Sequence, residues 1–130
     1  MTYKTELKVR SYECDSYSHV NNAVYLHYLE TARMDYLSQI GFDYKGIVAA
    51  GYYLYVTHID IRYKNSAFLD DVLTIETSPV KLGAVSGTFR QVIKKDGGHI
   101  CAEADVTWAS VKNNAPARLP QEFIVPGLRP

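Results

Sequence analysis

The longest helical pattern in the chain lies between residues 23 and 40. Apolar and aromatic side chains recur there at Tyr25, Leu29, Ala32, Tyr36 and Ile40, and Val24, Tyr28 and Leu37 widen the stripe. This spacing is typical of a helix with a broad buried face. Asn21 or Asn22 is a suitable N-cap, because its side-chain oxygen can accept a free helical N–H. Gly41 suits the end of the helix, since glycine takes the left-handed C-terminal conformation at little cost. The pattern predicts one long helix from about Ala23 to Ile40.

Alternating patterns on both sides of this helix predict β-strands. The strongest covers Tyr52–Tyr63, where aromatic and β-branched residues dominate and odd-numbered positions should share one face. The other predicted strands are residues 4–13, 72–78, 84–95 and 99–112. Asp96-Gly97-Gly98 is typical of a hairpin turn between the last two.

The remaining residues lack a regular pattern. Residues 42–51 are interpreted as a connection rich in glycine and alanine, and the polar, proline-containing tail after Asn113 as a partly docked loop. The order of one strand, one helix and four strands predicts an α+β domain in which an antiparallel sheet wraps the helix. No repeat or linker interrupts it, so we expect a single domain over residues 1–130.

Composition narrows the class of protein. The chain has 130 residues, 47% of them hydrophobic, and its 14 basic and 14 acidic side chains give no net charge. No bulk charge indicates a nucleic-acid or membrane partner, and no apolar run is long enough to span a bilayer. Cys14 and Cys101 form neither a disulfide framework nor a zinc pattern, so we expect free thiols in a reducing cytoplasm. The 11 tyrosines suit interfaces or ligand pockets.

Polar side chains stand just before the predicted long helix. Asp15, His19, Asn21 and Asn22 bring a carboxylate, an imidazole and two amides to its N-terminus. The free N–H groups there carry a partial positive charge, which polarises a carbonyl oxygen held against them. Asp15 lies one short loop away, where it can attack the carbonyl carbon or activate a water molecule. This arrangement suits acyl transfer.

The same segment resembles the hotdog-fold thioesterases related to 4-hydroxybenzoyl-CoA thioesterase. Their signature is an aspartate, a tyrosine ten residues later inside a helix, and then Glu-x-x-Arg. The corresponding residues here are Asp15, Tyr25, Glu30 and Arg33.

A second resemblance concerns residues 19–22. Their sequence His-Val-Asn-Asn is similar to the plant acyl-ACP thioesterase branch. Two positions depart from the families: Ser18 stands where the bacterial enzymes usually have glycine, and Tyr17 stands where the plant branch has asparagine.

The resemblance implies a hotdog fold, with a five-stranded antiparallel sheet wrapped around one long central helix. It implies hydrolysis of an acyl-CoA or acyl-ACP thioester without a metal or organic cofactor. It also implies a homodimer, or a tetramer made of two dimers, with an active site at the subunit boundary. Asp15 would come from one chain and pocket residues from the other.

The resemblance and the spacing together predict roles for single residues. Asp15 acts as a nucleophile that forms a mixed anhydride, or as a general base toward water; both mechanisms occur in the family. Asn22 matches the position whose backbone N–H polarises the thioester carbonyl. His19 is expected to hold water, to orient Asp15 or to line the entry. We predict that Tyr17, Asn21 and Tyr25 contact the substrate.

Basic residues are predicted to contact the phosphates of the coenzyme A or carrier arm. The candidates are Arg62, Arg90 and Arg118, with Lys81, Lys94 and Lys95. Glu30 and Arg33 are expected to pair on the helix or to bond to neighbouring backbone.

Two other function classes remain open from the sequence. A hotdog dehydratase or hydratase would use a histidine and a carboxylate for proton transfer on a β-hydroxyacyl chain. A non-catalytic acyl-thioester binding protein would share the fold without the chemistry. Asp15 before the helix favours hydrolysis. The sequence leaves the acyl group open among aromatic, short and long aliphatic chains.

Overall fold

The computed structural model describes residues 1–130 as one antiparallel sheet with a long and a short helix. The strands are β1 (Tyr3–Lys8), β2 (Tyr53–Tyr63), β3 (Val72–Leu82), β4 (Ser86–Lys95), β5 (His99–Lys112) and the short β6 (Ala115–Pro116). The helices are α1 (Asn22–Gln39) and α2 (Tyr44–Ala49). Short 3-10 turns cover Ser11–Glu13, Gln121–Phe123 and Pro126–Leu128.

The order of strands in the sheet is β1-β3-β4-β5-β2, and β6 pairs with β5. The three strands β3, β4 and β5 form a meander, whereas β1 and β2 occupy the two edges. β2 therefore pairs only with β5 and leaves its other edge free. The five predicted strands are present, and β6 adds a two-residue sixth.

Helix α1 packs its apolar stripe against the curled sheet, as the hotdog arrangement requires. Its buried side chains are Tyr25, Tyr28, Leu29, Ala32, Tyr36 and Leu37. Ala102 and Ala104 on β5 are buried in the same core, and their small side chains let the helix approach closely. The helix begins at Asn22 with Asn21 as its N-cap, and Gly41 follows it with a φ of +77°. The predicted helix is confirmed, with its start one residue earlier.

Two segment predictions were wrong. Residues 42–51 are not an irregular connection, because they contain α2, capped by the Asp43 side chain accepting from the Gly46 N–H. The single-helix description therefore omits one short helix. The first strand ends at Lys8 instead of residue 13, because Ser11–Glu13 closes into a 3-10 turn.

A β-bulge in β2 explains why its predicted faces do not persist. The register with β5 shifts between Val56 and His58, so Thr57 is an extra residue. Such an insertion moves all following side chains to the opposite face. Leu54 on one side of the bulge and Ile59 on the other are consequently both partly buried against the core clusters.

The tail is docked on the C-terminal half of α1, which agrees with the predicted docking. It is not entirely a loop, because it contains β6 and two 3-10 turns. Leu119 and Leu128 are buried with Tyr36 in a second apolar cluster. The Tyr36 hydroxyl donates a 2.7 Å hydrogen bond to the Gly127 carbonyl. Gly127 lies so close to Ile40 that a Cβ would stand 2.5 Å from the Ile40 side chain.

Neither α1 nor α2 has the combination of length and apolar character that a membrane-spanning helix requires.

Candidate active site

The loop before α1 folds around the Asp15 backbone. The Asp15 N–H donates to the His19 carbonyl at 3.0 Å, and the Ser18 N–H donates to the Asp15 carbonyl at 3.0 Å. The Tyr17 N–H donates to Asp15 Oδ1 at 2.9 Å. These bonds form a tight turn that fixes the orientation of the carboxylate.

Ser18 adopts a φ of +71° in this turn. This left-handed conformation strains a residue with a Cβ and costs glycine little. The family's usual glycine thus corresponds to a real backbone requirement, and Ser18 meets it with some strain. The departure from the family pattern leaves the turn in place.

Asp15 and His19 face each other across the turn. Asp15 Oδ2 lies 3.7 Å from His19 Nδ1, and the two side chains are 27% and 34% exposed. Nδ1 also lies 3.3 Å from the Val20 carbonyl oxygen. Because a carbonyl only accepts, this contact requires Nδ1 to carry a proton when it acts as a hydrogen bond. The Tyr17 ring stacks on His19, with centroids 6.1 Å apart.

The N-terminus of α1 presents a free donor beside this turn. Asn21 Oδ1 accepts from the Ala23 N–H at 2.9 Å, so the Asn21 side chain is occupied as a helix cap. Asn22 is the first helical residue, and its backbone N–H donates to no protein group. A carbonyl oxygen could therefore accept from the Asn22 N–H without displacing an existing hydrogen bond.

Tyr25 supports the turn from within the core. Its side chain is 3% exposed, and its hydroxyl accepts from the Ala67 N–H at 3.0 Å. Burial raises the pKa of Tyr25 above its ordinary value. The Ala67 carbonyl in turn accepts from the Val20 N–H at 2.8 Å. Tyr25 thus ties the first turn of α1 to the segment that follows β2.

A depression of about 160 Å³ opens at this end of α1. We call it the entrance depression, and its lining residues are His19, Val20, Asn22, Tyr25, Tyr63, Lys64, Asn65 and Ser66. It combines the imidazole, the first residue of the helix and the end of the edge strand. No group of three or more His, Cys, Asp or Glu side chains is arranged to hold a metal ion.

A buried carboxylate that the sequence analysis missed lies just before the turn. Glu13 accepts from the Arg10 backbone N–H at 2.8 Å, from the Arg10 side chain at 2.6 and 3.1 Å, and from the Tyr28 hydroxyl at 2.9 Å. Burial alone would raise the pKa of Glu13, but these hydrogen bonds outweigh it and hold the pKa below its ordinary value. Burial and the Glu13 carboxylate raise the pKa of Tyr28. The sequence analysis placed residue 13 at the end of the first strand and gave Glu13 no role.

The predicted pairing of Glu30 with Arg33 is wrong. Arg33 Nη1 instead donates to Gln91 Oε1 at 3.0 Å, and Gln91 Nε2 donates to the Leu29 carbonyl and to Thr77 Oγ1, both at 3.0 Å. Burial lowers the pKa of Arg33. Arg33 therefore links α1 to β4 through a buried amide, while Glu30 stays exposed.

The predicted phosphate contacts lie away from the turn within one chain. Arg62 and Arg90 line a concavity on the sheet, where Arg90 Nε and Nη2 bond to Asp105 at 2.9 and 3.1 Å. Arg118 lines a different concavity beside Gln121.

The predicted lysines are equally dispersed. Lys94 and Lys95 line a third concavity and lie 3.1 Å from Glu76 and 3.8 Å from Asp71, respectively. Lys81 lies near the end of β3 and is exposed. The contact of any of these cations with a phosphate stays a prediction.

The sequence matches a known protein family over most of its length. The model of the thioesterase-like superfamily matches residues 9–125. The chain belongs to this superfamily and is a thioester hydrolase, which confirms the predicted enzyme class.

Particular relatives agree with this class. The chain is 38% identical over 109 residues to the long-chain acyl-CoA thioesterase FadM of Escherichia coli, covering 83% of this chain and 82% of FadM. It is 34% identical over 61 residues to the chloroplastic acyl-acyl carrier protein thioesterase ATL3 of Arabidopsis thaliana, covering 47% and 32% of the two chains. The structure superposes on the DHNA-CoA thioesterase of Staphylococcus aureus with a TM-score of 0.88 and 25% identity, covering 94% of this chain and 83% of that one.

Proposed function

We propose that this protein hydrolyses an acyl-CoA thioester to a free acid and coenzyme A, with Asp15 as the catalytic carboxylate. The observation that supports this most is that a hydrogen-bonded, partly exposed carboxylate lies in the turn that leads into α1, whose first residue, Asn22, has a free N–H. The carboxylate supplies a nucleophile or base, and the N–H supplies a donor for the oxyanion. Thioester hydrolysis needs both.

The two mechanisms differ in the atom that attacks the thioester carbonyl. In the covalent route, an Asp15 oxygen bonds to the carbonyl carbon and the thiolate leaves, giving a mixed anhydride that water then hydrolyses. In the general-base route, Asp15 takes a proton from water as the water oxygen attacks. In both, the Asn22 N–H stabilises the charge that develops on the carbonyl oxygen.

His19 is proposed to orient the reacting groups. Its Nδ1 faces Asp15 Oδ2 and the Val20 carbonyl, which leaves Nε2 to hold a water molecule by a hydrogen bond. The Tyr17 ring is stacked beside the imidazole, with the ring planes 20° apart. This contact supports a role for Tyr17 in keeping the ring in place beside the substrate.

Coenzyme A is the carrier that we propose over acyl carrier protein. The match to FadM extends over most of both chains, whereas the match to the plant acyl carrier protein enzyme covers only 32% of that enzyme. The FadM name also supports a long aliphatic acyl group. An apolar cleft along α1, lined by Met34, Leu37, Leu54, Val56 and Trp108 among others, offers such a chain an apolar surface.

We further propose that two copies associate through β2 as a homodimer, which can pair again into a tetramer. The free edge of β2 exposes backbone hydrogen-bonding groups, which favours pairing with another strand. Large aromatic and apolar side chains are exposed on this strand: Tyr53, Tyr55 and Val56 are each 45–50% exposed. Aromatic side chains are enriched in protein–protein interfaces, so their exposure here favours burial against a second copy. In this assembly, pocket residues of one copy would complete the site that contains Asp15 of the other.

The test is a panel of short-chain, long-chain and aromatic acyl-CoAs, assayed by release of free thiol. Long-chain acyl-CoA should give the highest kcat/KM, and Asp15→Asn should abolish release. A 3-hydroxyacyl-CoA separates the dehydratase class, because dehydration yields an unsaturated thioester and no thiol. Absence of thiol release by the wild-type protein on every acyl-CoA would contradict the proposed function.

A further inference from the structure

The edge strand β2 ends at Tyr63, whose side chain reaches the first turn of α1. The Tyr63 hydroxyl donates a 3.1 Å hydrogen bond to the Asn22 carbonyl. Its ring packs edge-on against Tyr25, with centroids 5.4 Å apart and an interplanar angle of 63°. We propose that Tyr63 is a positioning residue, which holds Asn22 so that its backbone N–H faces the thioester carbonyl. This inference rests on the proposed function of the site.

The hydroxyl acts on a part of the helix that is otherwise weakly held. The first N–H groups of a helix have no intrahelical acceptor, and helix ends fray. The N–H and the carbonyl of Asn22 flank the same Cα, so a hydrogen bond to the carbonyl also restricts the direction of the N–H. A donor that is already aligned stabilises the oxyanion without a reorganisation cost.

The effect of Tyr63 should therefore fall on the chemical step. An aligned donor contributes most when charge has developed on the carbonyl oxygen, which happens in the transition state. The ground-state thioester carries little charge there and gains less from the alignment. Loss of the hydroxyl should lower kcat and leave KM nearly unchanged.

The surroundings of Tyr63 allow this role to be separated from folding. The side chain is 45% exposed, so water can replace its hydrogen bond at little cost in stability. Tyr63→Phe keeps the ring contact with Tyr25. Tyr25→Phe is a poorer probe, because it would leave the buried Ala67 N–H without its acceptor.

Tyr12→Phe is the control. Tyr12 lies outside β2 in the Ser11–Glu13 turn, is 78% exposed, and its hydroxyl makes no hydrogen bond to the protein. Tyr63→Phe should lower kcat by roughly tenfold with KM within about twofold of wild type, and Tyr12→Phe should leave both unchanged. The melting temperature should be the same for all three proteins. A kcat of Tyr63→Phe within about twofold of wild type, or a loss confined to KM, would overturn the inference.

A second measurement does not depend on turnover. The order parameter of the Asn22 amide, measured by ¹⁵N NMR relaxation, should be lower in Tyr63→Phe than in wild type or Tyr12→Phe, because it reports how tightly the N–H direction is held. Equal order parameters in the three proteins would overturn the positioning role even if the wild type is an active thioesterase. Absence of thiol release by the wild type would instead contradict the proposed function itself.

Discussion

Asp15 Oδ1 accepts the Tyr17 N–H at 2.9 Å, and this bond sets the carboxylate within the turn before α1. The second oxygen, Oδ2, stays open toward His19 and solvent. One oxygen thus serves the structure while the other is available for chemistry. This division makes it possible to remove the chemistry and keep the turn.

Asp15→Asn should abolish nearly all turnover in a folded protein. The amide oxygen can still accept from the Tyr17 N–H, but the side chain has neither a nucleophilic nor a basic oxygen. We expect a loss of about 10²–10⁴-fold in kcat for a base, and more for a nucleophile. The assay is thiol release, with circular dichroism as the control for folding. Near-normal kcat would remove Asp15 from the mechanism.

His19→Ala should have a milder effect than Asp15→Asn. If the imidazole orients water or Asp15, kcat should fall by roughly tenfold to a thousandfold. A histidine that only supports the turn would instead lower the melting temperature and spare kcat. Both quantities should be measured on one preparation, and the second pattern would contradict a catalytic role.

Ser18→Gly should stabilise the protein slightly. Relief of the left-handed strain at Ser18 gains about 1–2 kcal/mol, and the added freedom of the unfolded chain costs about 0.5–1 kcal/mol. The net gain in the free energy of unfolding should be about 0.5 kcal/mol or somewhat more, measured by urea denaturation. Ser16→Gly is the control, because Ser16 is exposed in the same turn and has no positive φ. This change should only lower the free energy of unfolding, since it adds freedom to the unfolded chain without relieving strain. Equal effects of the two changes would disprove strain at Ser18.

Glu13 should make folding stability depend on acidic pH. The pKa of Glu13 is lower in the folded protein than its ordinary value of 4.5. The stabilisation is therefore complete above about pH 4.5 and is lost as the pH falls through the folded-state pKa. Glu13→Gln should flatten this part of the curve of unfolding free energy against pH. Exposed Glu6→Gln on β1 is the control and should leave the curve unchanged.

Assembly should appear in the dependence of activity on concentration. If two copies share each site through β2, sizing should give at least a dimer, and specific activity should fall on dilution through the dissociation constant. Sedimentation at the same concentrations links the two observations. A monodisperse monomer with full activity per chain would contradict the shared site.

The sequence predicted the parts of the fold that follow long, regular patterns. Helix α1 and strand β5 were located within a residue or two, because many buried positions repeat at one spacing in each. Helix α2 was missed, since its 6 residues are too few to show a period and its cap at Asp43 is a single side chain. The bulge at Thr57 was missed because the residue types on β2 alternate through it without a break.

The candidate site also has features that the local sequence predicts and features that it does not. The turn with Asp15 and the capping of α1 at Asn21 depend on local sequence and could be predicted. The contact of Tyr63 with Asn22 joins residues 41 positions apart, and the Glu13 network depends on which side chains are buried. The Tyr63–Asn22 and Tyr28–Glu13 contacts do not follow from local spacing, because each joins residues from different elements of the folded chain.

The pairing of β1 with β3 has a consequence for the order of folding. Tyr3 lies opposite Thr77, so the intervening helix, α2 and β2 must all be accommodated before this edge can close. The hairpins of β3, β4 and β5 close much shorter loops and lose less chain entropy in doing so. We expect the central meander to form early and the first-synthesised strand to join it late. Until β1 pairs with β3, the outer edge of β3 can pair with strands of other molecules. We therefore expect the chain to be most prone to aggregation before this last pairing forms.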